Sequence, residues 1–356
     1  MKRIPLIILG AGNVGRALIR QLLEAAALHA DRDGLALPIV AWCDRAGALV
    51  EPDGLAPETL RAAEAAKAGG ASLAELPQGY HQHDLAAIVD VAGTDGCVVV
   101  DVTATADTIP ALELALRRGY RVATANKIPL AGAQATFDGL VGSGRCRYES
   151  TVGSAVPVIE TTRALLRAAD RVDVVRGVLS GTLGYLCAGL QAGRPFSALL
   201  QEAMSRGYTE PDPRVDLGGQ DVARKALIVA RTLGWRLEMA DLRLTPLLPA
   251  DYAALPLADF LARATELDAP FAAQVAEAAA RGRVLRYVAE LAGGRITVEL
   301  QAVPAEGALG QLRGNDNLVA FHTRYYPDTP LVLQGRGAGV DAAAAGVHAD
   351  IVALTG

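Results

Sequence analysis

The 356-residue chain lacks the features that mark a membrane-spanning or nucleic-acid-binding protein. It has no stretch of about 20 uncharged apolar residues, so no transmembrane helix is predicted. Its 39 acidic and 34 basic side chains leave a formal net charge of -5. That balance offers no general attraction for the phosphates of nucleic acids or anionic lipids. We therefore expect neither a nucleic-acid nor a membrane partner.

Cysteine is scarce as well. The four cysteines are separated by 54, 49 and 41 residues, being Cys43, Cys97, Cys146 and Cys187. These spacings give neither paired metal ligands nor a disulfide framework, and they favour a reducing cytoplasm. Aromatic residues make up only 4% of the chain, but hydrophobic residues make up 51%. That content excludes a disordered chain and predicts two domains of ordinary size.

The first part of the chain alternates apolar runs with helical patterns. Residues 4–9 (IPLIIL) are typical of a strand buried on both faces, and the GAGNVG turn leads into a helical pattern over 14–28. Further strands are predicted at 38–43, 97–103, 121–124 and 146–149, and helices at 57–68, 84–91 and 109–118. This alternation predicts a doubly wound, Rossmann-type parallel sheet over residues 1–149. The connection HADRDGLAL before the second strand is interpreted as a surface insertion.

After residue 149 the pattern changes to α+β. Helical segments are predicted at 156–168, 197–206, 218–233 and 271–280, with β-rich runs at 171–180, 283–291, 295–303, 317–325 and 330–335. The pattern indicates an open sheet covered by helices, which we assign to a substrate-binding and dimerisation domain over 150–338. The last segment, 339–356, restarts with a glycine turn and a helix. We predict that it packs back on the first domain.

The glycine turn matches a dinucleotide-binding motif. Gly10 permits a tight turn, Gly12 lets a pyrophosphate approach the backbone, and Gly15 allows close helix packing. Asn13 and Val14 complete the predicted cofactor turn. After the second strand, Asp44 favours the ribose 2'-hydroxyl of NAD, whereas Arg45 favours the 2'-phosphate of NADP. The cofactor is thus NAD or NADP, and the choice stays open.

Further candidates follow the later strands. Thr103 and Ala104 come after a buried strand, where a hydroxyl or backbone group could meet the cofactor, although Thr is also a common helix cap. Asn126 and Lys127 directly follow the strand at 121–124. Since carboxyl ends of parallel strands meet at one edge, we expect these residues at the crevice.

An acidic loop precedes a helix in the second part of the chain. Four carboxylates, Glu210, Asp212, Asp216 and Asp221, come before Lys225 in a segment fixed by two prolines and two glycines. Asp221 and Lys225 are four residues apart and are predicted to share a helical face. Such pairs are usually surface ion pairs. The surplus of carboxylates favours a site for a substrate ammonium group.

The segments GAGNVG, TANKIPL, ESTVGSAVP, SGTLGYL, GYTEPDPRVDLGGQDVARK, NDNLVAFHTRYY and QGRGAGVDAAAAGVHADI occur in this order. Together they resemble homoserine dehydrogenase of the short, single-function form, along nearly the whole chain. The resemblance implies NAD(P)-dependent interconversion of L-homoserine and L-aspartate 4-semialdehyde, in threonine and methionine biosynthesis.

By the same resemblance, Lys225 is the general acid, Asp221 orients the reacting oxygen, and Lys127 is a second cation near substrate and nicotinamide. The substrate is assigned to Glu210, Asp216, Asp221, Gly207, Tyr208 and Lys127, and the cofactor border includes Gly339. Family members bind a monovalent cation, sodium, through backbone carbonyls that map onto Glu149, Val152, Ser154 and Val156. Ser150, Ser154 and Ala155 depart from the usual family residues. A homodimer through the second domain's sheet is also implied.

Two other functions are considered. Aspartate-semialdehyde dehydrogenase shares the cofactor domain and a substrate, but it needs an activated cysteine nucleophile, and no cysteine has a convincing context. A dinucleotide-sensing protein without turnover would bind NAD(P)H and would have no use for Lys225.

Overall fold

The computed structural model describes all residues from Met1 to Gly356. They form two compact units, Met1–Ala155 with Gly339–Gly356, and Val156–Ala338. Residues 150–155, which we assigned to the second domain, lie in the first unit because they pack on its last helix. Ser150 Oγ donates a hydrogen bond to the Ala343 carbonyl over 2.6 Å. A side chain at Gly346 would lie 2.3 Å from the same hydroxyl.

The strands, in chain order, are β1 (Lys2–Arg3), β2 (Leu6–Leu9), β3 (Leu35–Ala36), β4 (Ile39–Cys43), β5 (Gly47–Val50), β6 (Gly79–His81), β7 (Val98–Asp101), β8 (Arg121–Thr124), β9 (Cys146–Arg147), β10 (Val172–Val178), β11 (Arg243–Leu244), β12 (Arg283–Ala292), β13 (Arg295–Pro304), β14 (Asn317–Thr323) and β15 (Leu331–Gly335).

The α-helices are α1 (Asn13–Glu24), α2 (Ala26–Leu28), α3 (Pro57–Ala68), α4 (Leu85–Ala92), α5 (Ile109–Arg117), α6 (Lys127–Ala131), α7 (Gln134–Val141), α8 (Val158–Arg167), α9 (Gly181–Gln191), α10 (Phe196–Ser205), α11 (Arg214–Leu217), α12 (Gln220–Thr232), α13 (Ala250–Ala253), α14 (Leu257–Arg263), α15 (Asp268–Ala279) and α16 (Val340–Ala353). No helix has the length and apolarity needed to cross a membrane.

The first unit contains a seven-stranded sheet in the order β6-β5-β4-β2-β7-β8-β9. The five strands from β4 to β9 are parallel, as predicted for a Rossmann-type fold. All four residues of β2 are fully buried, which explains its uninterrupted apolar sequence. From β2 the chain continues to β4 on one side and later to β7 on the other. Ligands of such sheets bind at this change of direction.

The two strands at one side of this sheet were not predicted. The prediction had no strand at Gly47–Val50 or Gly79–His81, but β5 pairs antiparallel with β4, and β6 pairs antiparallel with β5. Gly47 is required here because a side chain would lie 2.1 Å from the Ala74 backbone nitrogen. The pairing depends on this contact with the turn at Leu73–Glu75, which lies far away in the sequence.

The predicted surface insertion is more ordered than a loop. It forms a turn of π-helix at His29–Asp33 and the strand β3, which pairs in parallel with β1. His29 is buried, and its ring links the insertion to α16. The His29 Nδ1 lies 2.9 Å from Asp33 Oδ2, and its Nε2 lies 2.7 Å from Nε2 of His348. The insertion therefore ties both ends of the chain into the first unit.

This histidine pair predicts a loss of stability in acid. Burial, with the charge of His29, lowers the pKa of His348 to about 4. The unfolded chain takes up a proton near pH 6.5, so the free energy of unfolding falls as pH drops from about 6.5 to 4 and is unaffected above that window. We expect His348 to account for about 2 kcal/mol of this loss, since its partial exposure weakens the effect.

Urea unfolding at pH 7 and pH 4.5 checks this expectation. His348→Asn should flatten the pH dependence, while His83→Asn, at an exposed histidine, should leave it unchanged. An equally steep dependence in His348→Asn would contradict the assignment.

The second unit contains a six-stranded sheet in the order β11-β13-β12-β10-β14-β15. All its pairings are antiparallel except that of β11 with β13. The longest is the hairpin of β12 and β13, which pairs Arg283 with Pro304 at one end and Ala292 with Arg295 at the other. Helices α9, α12 and α15 pack against β12. This arrangement agrees with the predicted open sheet covered by helices.

Helix α9 was missed because three glycines interrupt its apolar pattern. Ser180 caps it, since its Oγ accepts a hydrogen bond from the Leu183 N–H over 3.2 Å. A side chain at Gly181 would lie 3.3 Å from the Asn315 carbonyl oxygen, and one at Gly184 would lie 3.6 Å from that of Gly314. The glycines therefore let the segment before β14 lie close to the start of the helix.

Candidate active site

A cavity of about 1060 Å³ lies in the first unit at the carboxyl ends of β2, β4 and β7. Five of the predicted cofactor residues line it, namely Gly10, Gly12, Asp44, Arg45 and Thr103. Others are outside its lining: Asn13, Val14, Gly15, Ala104, Asn126, Lys127 and Gly339. The cavity also has a wall that no motif signalled, contributed by Lys67, Ser72, Gln82 and His83.

The three glycines of the turn have different surroundings. Gly10 has a φ of +112°, and a side chain there would lie 3.0 Å from the Val102 carbonyl. A side chain at Gly15 would lie 2.2 Å from the Gly10 oxygen, which is too close for any atom. A side chain at Gly12 would meet no atom within 4 Å, and Gly12 is the N-cap of α1. Gly10 and Gly15 thus shape the turn, whereas Gly12 leaves space beside a helix amino terminus for a phosphate.

Asp44 is held inside the protein. Its Oδ1 accepts from the N–H groups of Ala46 and Gly47 over 2.9 and 2.7 Å. Its Oδ2 accepts from Lys67 Nζ over 2.7 Å and from the Leu73 N–H over 2.8 Å. Burial raises the pKa of Asp44, but these hydrogen bonds outweigh burial and lower it. A carboxylate has about four acceptor positions, so little capacity remains for a ribose hydroxyl.

Arg45 differs from its neighbour. Its side chain is exposed and lines the cavity. The one hydrogen bond of Arg45 is accepted by its backbone carbonyl, from Gln82 Nε2 over 3.3 Å. The guanidinium group therefore keeps its five N–H donors for a ligand.

A buried network supports the crevice at the end of β7. Asp101 is fully buried, and its carboxylate accepts from the hydroxyls of Thr103 and Thr108, each over 2.7 Å, and from Asn126 Nδ2 over 3.0 Å. Burial raises the pKa of Asp101, although these hydrogen bonds oppose the shift. Asn126 Oδ1 in turn caps α6 by accepting from the Ile128 N–H over 3.0 Å. The Asn126 side chain thus positions α6, which begins with Lys127, instead of contacting the cavity.

In the second unit, Lys225 lies where a proton donor could act. It is on α12, one turn after Asp221, and the Lys225 Nζ lies 2.7 Å from Asp221 Oδ2, as the spacing predicted. Nζ also donates to the Leu179 carbonyl at the end of β10 over 2.7 Å. An ammonium group has three N–H donors, so one of them has no partner in the protein. The amine is oriented yet keeps one proton for another group.

The acidic loop has fewer free carboxylates than expected. Asp212 forms a bidentate pair with Arg214, whose Nε donates to Oδ1 and whose Nη2 donates to Oδ2. Asp216 Oδ2 accepts from the Glu210 N–H over 2.8 Å, and Asp216 Oδ1 lies 3.2 Å from Thr182 Oγ1. The Glu210 carboxylate alone among the four has no partner within the protein.

The loop and the start of α9 are joined by Thr182. Its hydroxyl donates to the Tyr208 carbonyl over 2.5 Å and also lies beside Asp216. Burial raises the pKa of Asp216, and the negative charges of Glu210 and Asp221 add to this shift, against the hydrogen bonds that it accepts. Thr182 was missed as a site residue, although it belongs to the quoted segment SGTLGYL.

Gly207, which was predicted to contact the substrate, lies where helix α10 leads into the acidic loop. Gly207 has a φ of +66°, which turns the chain from α10 into the loop.

The candidate cation ligands lie on both sides of the division into units. Glu149, Val152 and Ser154 belong to the first unit, and Val156 begins the second. The Glu149 carbonyl accepts from the Val152 N–H over 3.2 Å, and the Val156 carbonyl accepts from the Val158 N–H over 2.7 Å. Val152 is fully buried, and its carbonyl oxygen receives no hydrogen bond. No group of three or more His, Cys, Asp or Glu side chains is arranged to bind a metal ion.

The first unit has the fold and the cavity of a dinucleotide-binding, Rossmann-type α/β protein. The second unit holds the oriented ammonium of Lys225 and the unpaired carboxylate of Glu210. The homoserine dehydrogenase family model matches residues 157–352. A homoserine dehydrogenase of Emericella nidulans is 38% identical over 255 residues, which are 67% of this chain and 69% of that protein. The chain therefore belongs to the homoserine dehydrogenase family.

Two more relatives extend the comparison. A bifunctional aspartokinase/homoserine dehydrogenase of Haemophilus influenzae is 39% identical over 261 residues, covering 72% of this chain but 32% of that protein. The chain spans about a third of the length of this bifunctional relative. A crystal structure of a putative homoserine dehydrogenase from Archaeoglobus fulgidus superimposes with a TM-score of 0.79, is 26% identical and covers 98% of both chains.

Proposed function

We propose that the chain catalyses the reversible reduction of L-aspartate 4-semialdehyde to L-homoserine. The observation that carries this proposal is Lys225, whose ammonium is fixed by Asp221 and Leu179 and keeps one N–H for a substrate oxygen. We propose that the first unit holds the cofactor and that the second unit binds the substrate.

Each residue has a distinct part in the proposed reaction. Lys225 Nζ donates a proton to the oxygen formed from the aldehyde, and takes it back from the hydroxyl in the oxidative direction. Asp221 fixes the orientation of that amine. Glu210 binds the substrate ammonium, because its carboxylate is the unpaired one in the loop, and Asp216 with the Tyr208 carbonyl and Gly207 forms the surrounding wall. Lys127 supplies a second cation for the substrate carboxylate or the nicotinamide end.

The cofactor is a nicotinamide dinucleotide, which supplies or accepts the hydride when bound. The open space at Gly12 fits a pyrophosphate, since a side chain there would fill it. We propose that NADP is preferred over NAD. Asp44 has its carboxylate oxygens engaged within the protein, whereas Arg45 lines the same cavity with its guanidinium free for a 2'-phosphate.

We also propose a monovalent cation, sodium, between the carbonyls of Glu149, Val152, Ser154 and Val156. The support is the Val152 carbonyl, which is buried without a hydrogen bond and would be satisfied by a cation. Such an ion would take no direct part in proton transfer.

The alternative of a cysteine-dependent semialdehyde dehydrogenase loses support. All four cysteines are buried free thiols. Burial raises the pKa of Cys43 and of Cys97 to about 12, and that of Cys187 to about 11. A nucleophilic cysteine needs a lowered pKa and access to substrate.

An activity assay tests the proposed function. The purified chain is mixed with L-homoserine and either NADP+ or NAD+ at alkaline pH, and absorbance of the reduced nicotinamide is followed in sodium and tetramethylammonium buffers. We expect homoserine-dependent reduction, fastest with NADP+. No homoserine-dependent signal with either cofactor would refute the enzyme proposal and favour a dinucleotide-sensing protein.

We further propose a cytoplasmic homodimer. The second unit's sheet carries half-buried Arg176, Glu290 and Gln301 on the adjacent strands β10, β12 and β13. Arg176 pairs with both others across the strands, at 3.0 Å to Glu290 and 2.8 Å to Gln301. Light scattering is expected to give twice the chain mass of 36.9 kDa, and a monomer mass would refute the dimer.

A further inference from the structure

A second cavity of the first unit lies at the amino ends of the parallel strands, opposite the cofactor crevice at their carboxyl ends. It has a volume of about 380 Å³ and opens beside Pro38 and Ile39, where β4 begins. Its inner wall consists of buried aliphatic side chains: Leu22, Leu35, Ile39, Leu55 and Leu60. The volume is at the lower end of the range for small-molecule sites.

The insertion between α1 and β4 forms the remaining wall. Ala26, His29 and Ala30 line the cavity from this side. Both ring nitrogens of His29 are engaged, Nδ1 with Asp33 and Nε2 with His348, so His29 offers the cavity no hydrogen bond. The interior of the cavity therefore favours an aliphatic group.

The mouth of the cavity carries positive charge. Arg3 lines it, and its Nη2 donates to the Pro52 carbonyl over 3.1 Å. The other N–H groups of Arg3 have no partner within the protein, and the side chain is exposed. Met1 lies on the same rim, and no carboxylate lines the cavity.

We propose that this cavity binds a small aliphatic carboxylate, with its chain among the leucines and its carboxylate on Arg3. The aliphatic wall excludes a sugar or a nucleotide, because neither could satisfy its polar groups there. The cationic rim selects an anion over an amine or a neutral alcohol. This site is independent of the proposed dehydrogenase activity, since it lies at the opposite end of the parallel strands from the crevice.

Calorimetric titration of the full chain with defined probes tests the proposal. Butyrate, hexanoate and octanoate form a chain-length series, and hexan-1-ol and hexylammonium keep the chain but change the head group. All titrations contain saturating NADP, which fills the crevice. We expect Kd to fall about fourfold for each added methylene group, with hexanoate the tightest of the three six-carbon probes. Equal affinity for hexylammonium, or no dependence on chain length, would overturn the proposal.

Two variants and a control separate the two parts of the site. Arg3→Gln is expected to weaken hexanoate binding by at least about tenfold and to leave hexan-1-ol unchanged. Ala26→Phe fills the cavity from the exposed helix α2 and should abolish binding of both. Arg61→Gln, at an exposed arginine on α3 outside the cavity, should bind as the parent chain does. Unaltered hexanoate binding in both Arg3→Gln and Ala26→Phe would place the binding elsewhere and refute the site.

Discussion

Replacing Lys225 with alanine is expected to lower kcat about 10³-fold while leaving the Kd for NADP unchanged. The loss follows because the proton donor is removed, and general acid catalysis contributes about 10² to 10⁴ in rate. Cofactor binding survives because the cavity that would hold it lies in the first unit and contains no atom of Lys225. Stopped-flow turnover with fluorescence titration of NADPH measures the two quantities separately.

A matched control is the preceding residue in the chain. Arg224 is on the same helix and is exposed, so Arg224→Ala should retain turnover within about twofold. Lys225→Arg keeps the positive charge, but its guanidinium does not release a proton near neutral pH, so it should be nearly as slow as the alanine variant. Substantial turnover in Lys225→Arg would show that Lys225 acts by charge alone and is not the acid.

Sequence patterns predict the parts of this fold that local periodicity determines. Helix α3 begins at Pro57 and ends at Ala68, as predicted, because proline is favoured in the first turn of a helix and glycine follows the end. The four-residue spacing of Asp221 and Lys225 on one helix likewise predicted that their side chains would meet, as they do. By contrast, the short strand β5 depends on pairing with β4, and the edge strand β6 depends on pairing with β5. Both also contact the turn at Leu73–Glu75. Such contacts leave no local pattern.

The candidate site also has parts that local sequence patterns predict and parts that depend on contacts distant in the sequence. Glycine spacing predicted the turn between β2 and α1, because Gly10 and Gly15 each meet a local steric demand. The chemistry of the acidic loop needed the tertiary structure, because Asp212 is bound by Arg214 and Asp216 by the backbone of Glu210. From the sequence alone, the four carboxylates of the loop cannot be distinguished by their charge. Only their hydrogen bonds distinguish Glu210 as the one left for a substrate ammonium.

The coenzyme preference is the second large effect that we expect. Arg45→Ala should lower kcat/KM for NADP about 30- to 100-fold and change that for NAD by less than about threefold. A charge-assisted hydrogen bond to a phosphate contributes about 1.5 to 3 kcal/mol. NAD carries no 2'-phosphate, so its binding does not depend on this hydrogen bond. Initial rates with each cofactor, at matched homoserine concentration and low salt, give the ratio. Arg61→Ala, on α3 outside the cavity, is the control for a general loss of positive charge.

A double variant tests why Asp44 does not favour NAD. Lys67 is the side-chain cation bound to Asp44, at 2.7 Å from Oδ2. Adding Lys67→Met to Arg45→Ala releases one acceptor position on that carboxylate, which then becomes available to the ribose 2'-hydroxyl. The double variant should therefore prefer NAD, whereas Arg45→Ala alone should only lose its preference for NADP. If both variants keep the parent ratio of NADP to NAD activity, the 2'-phosphate is bound elsewhere, and the free guanidinium of Arg45 has another role.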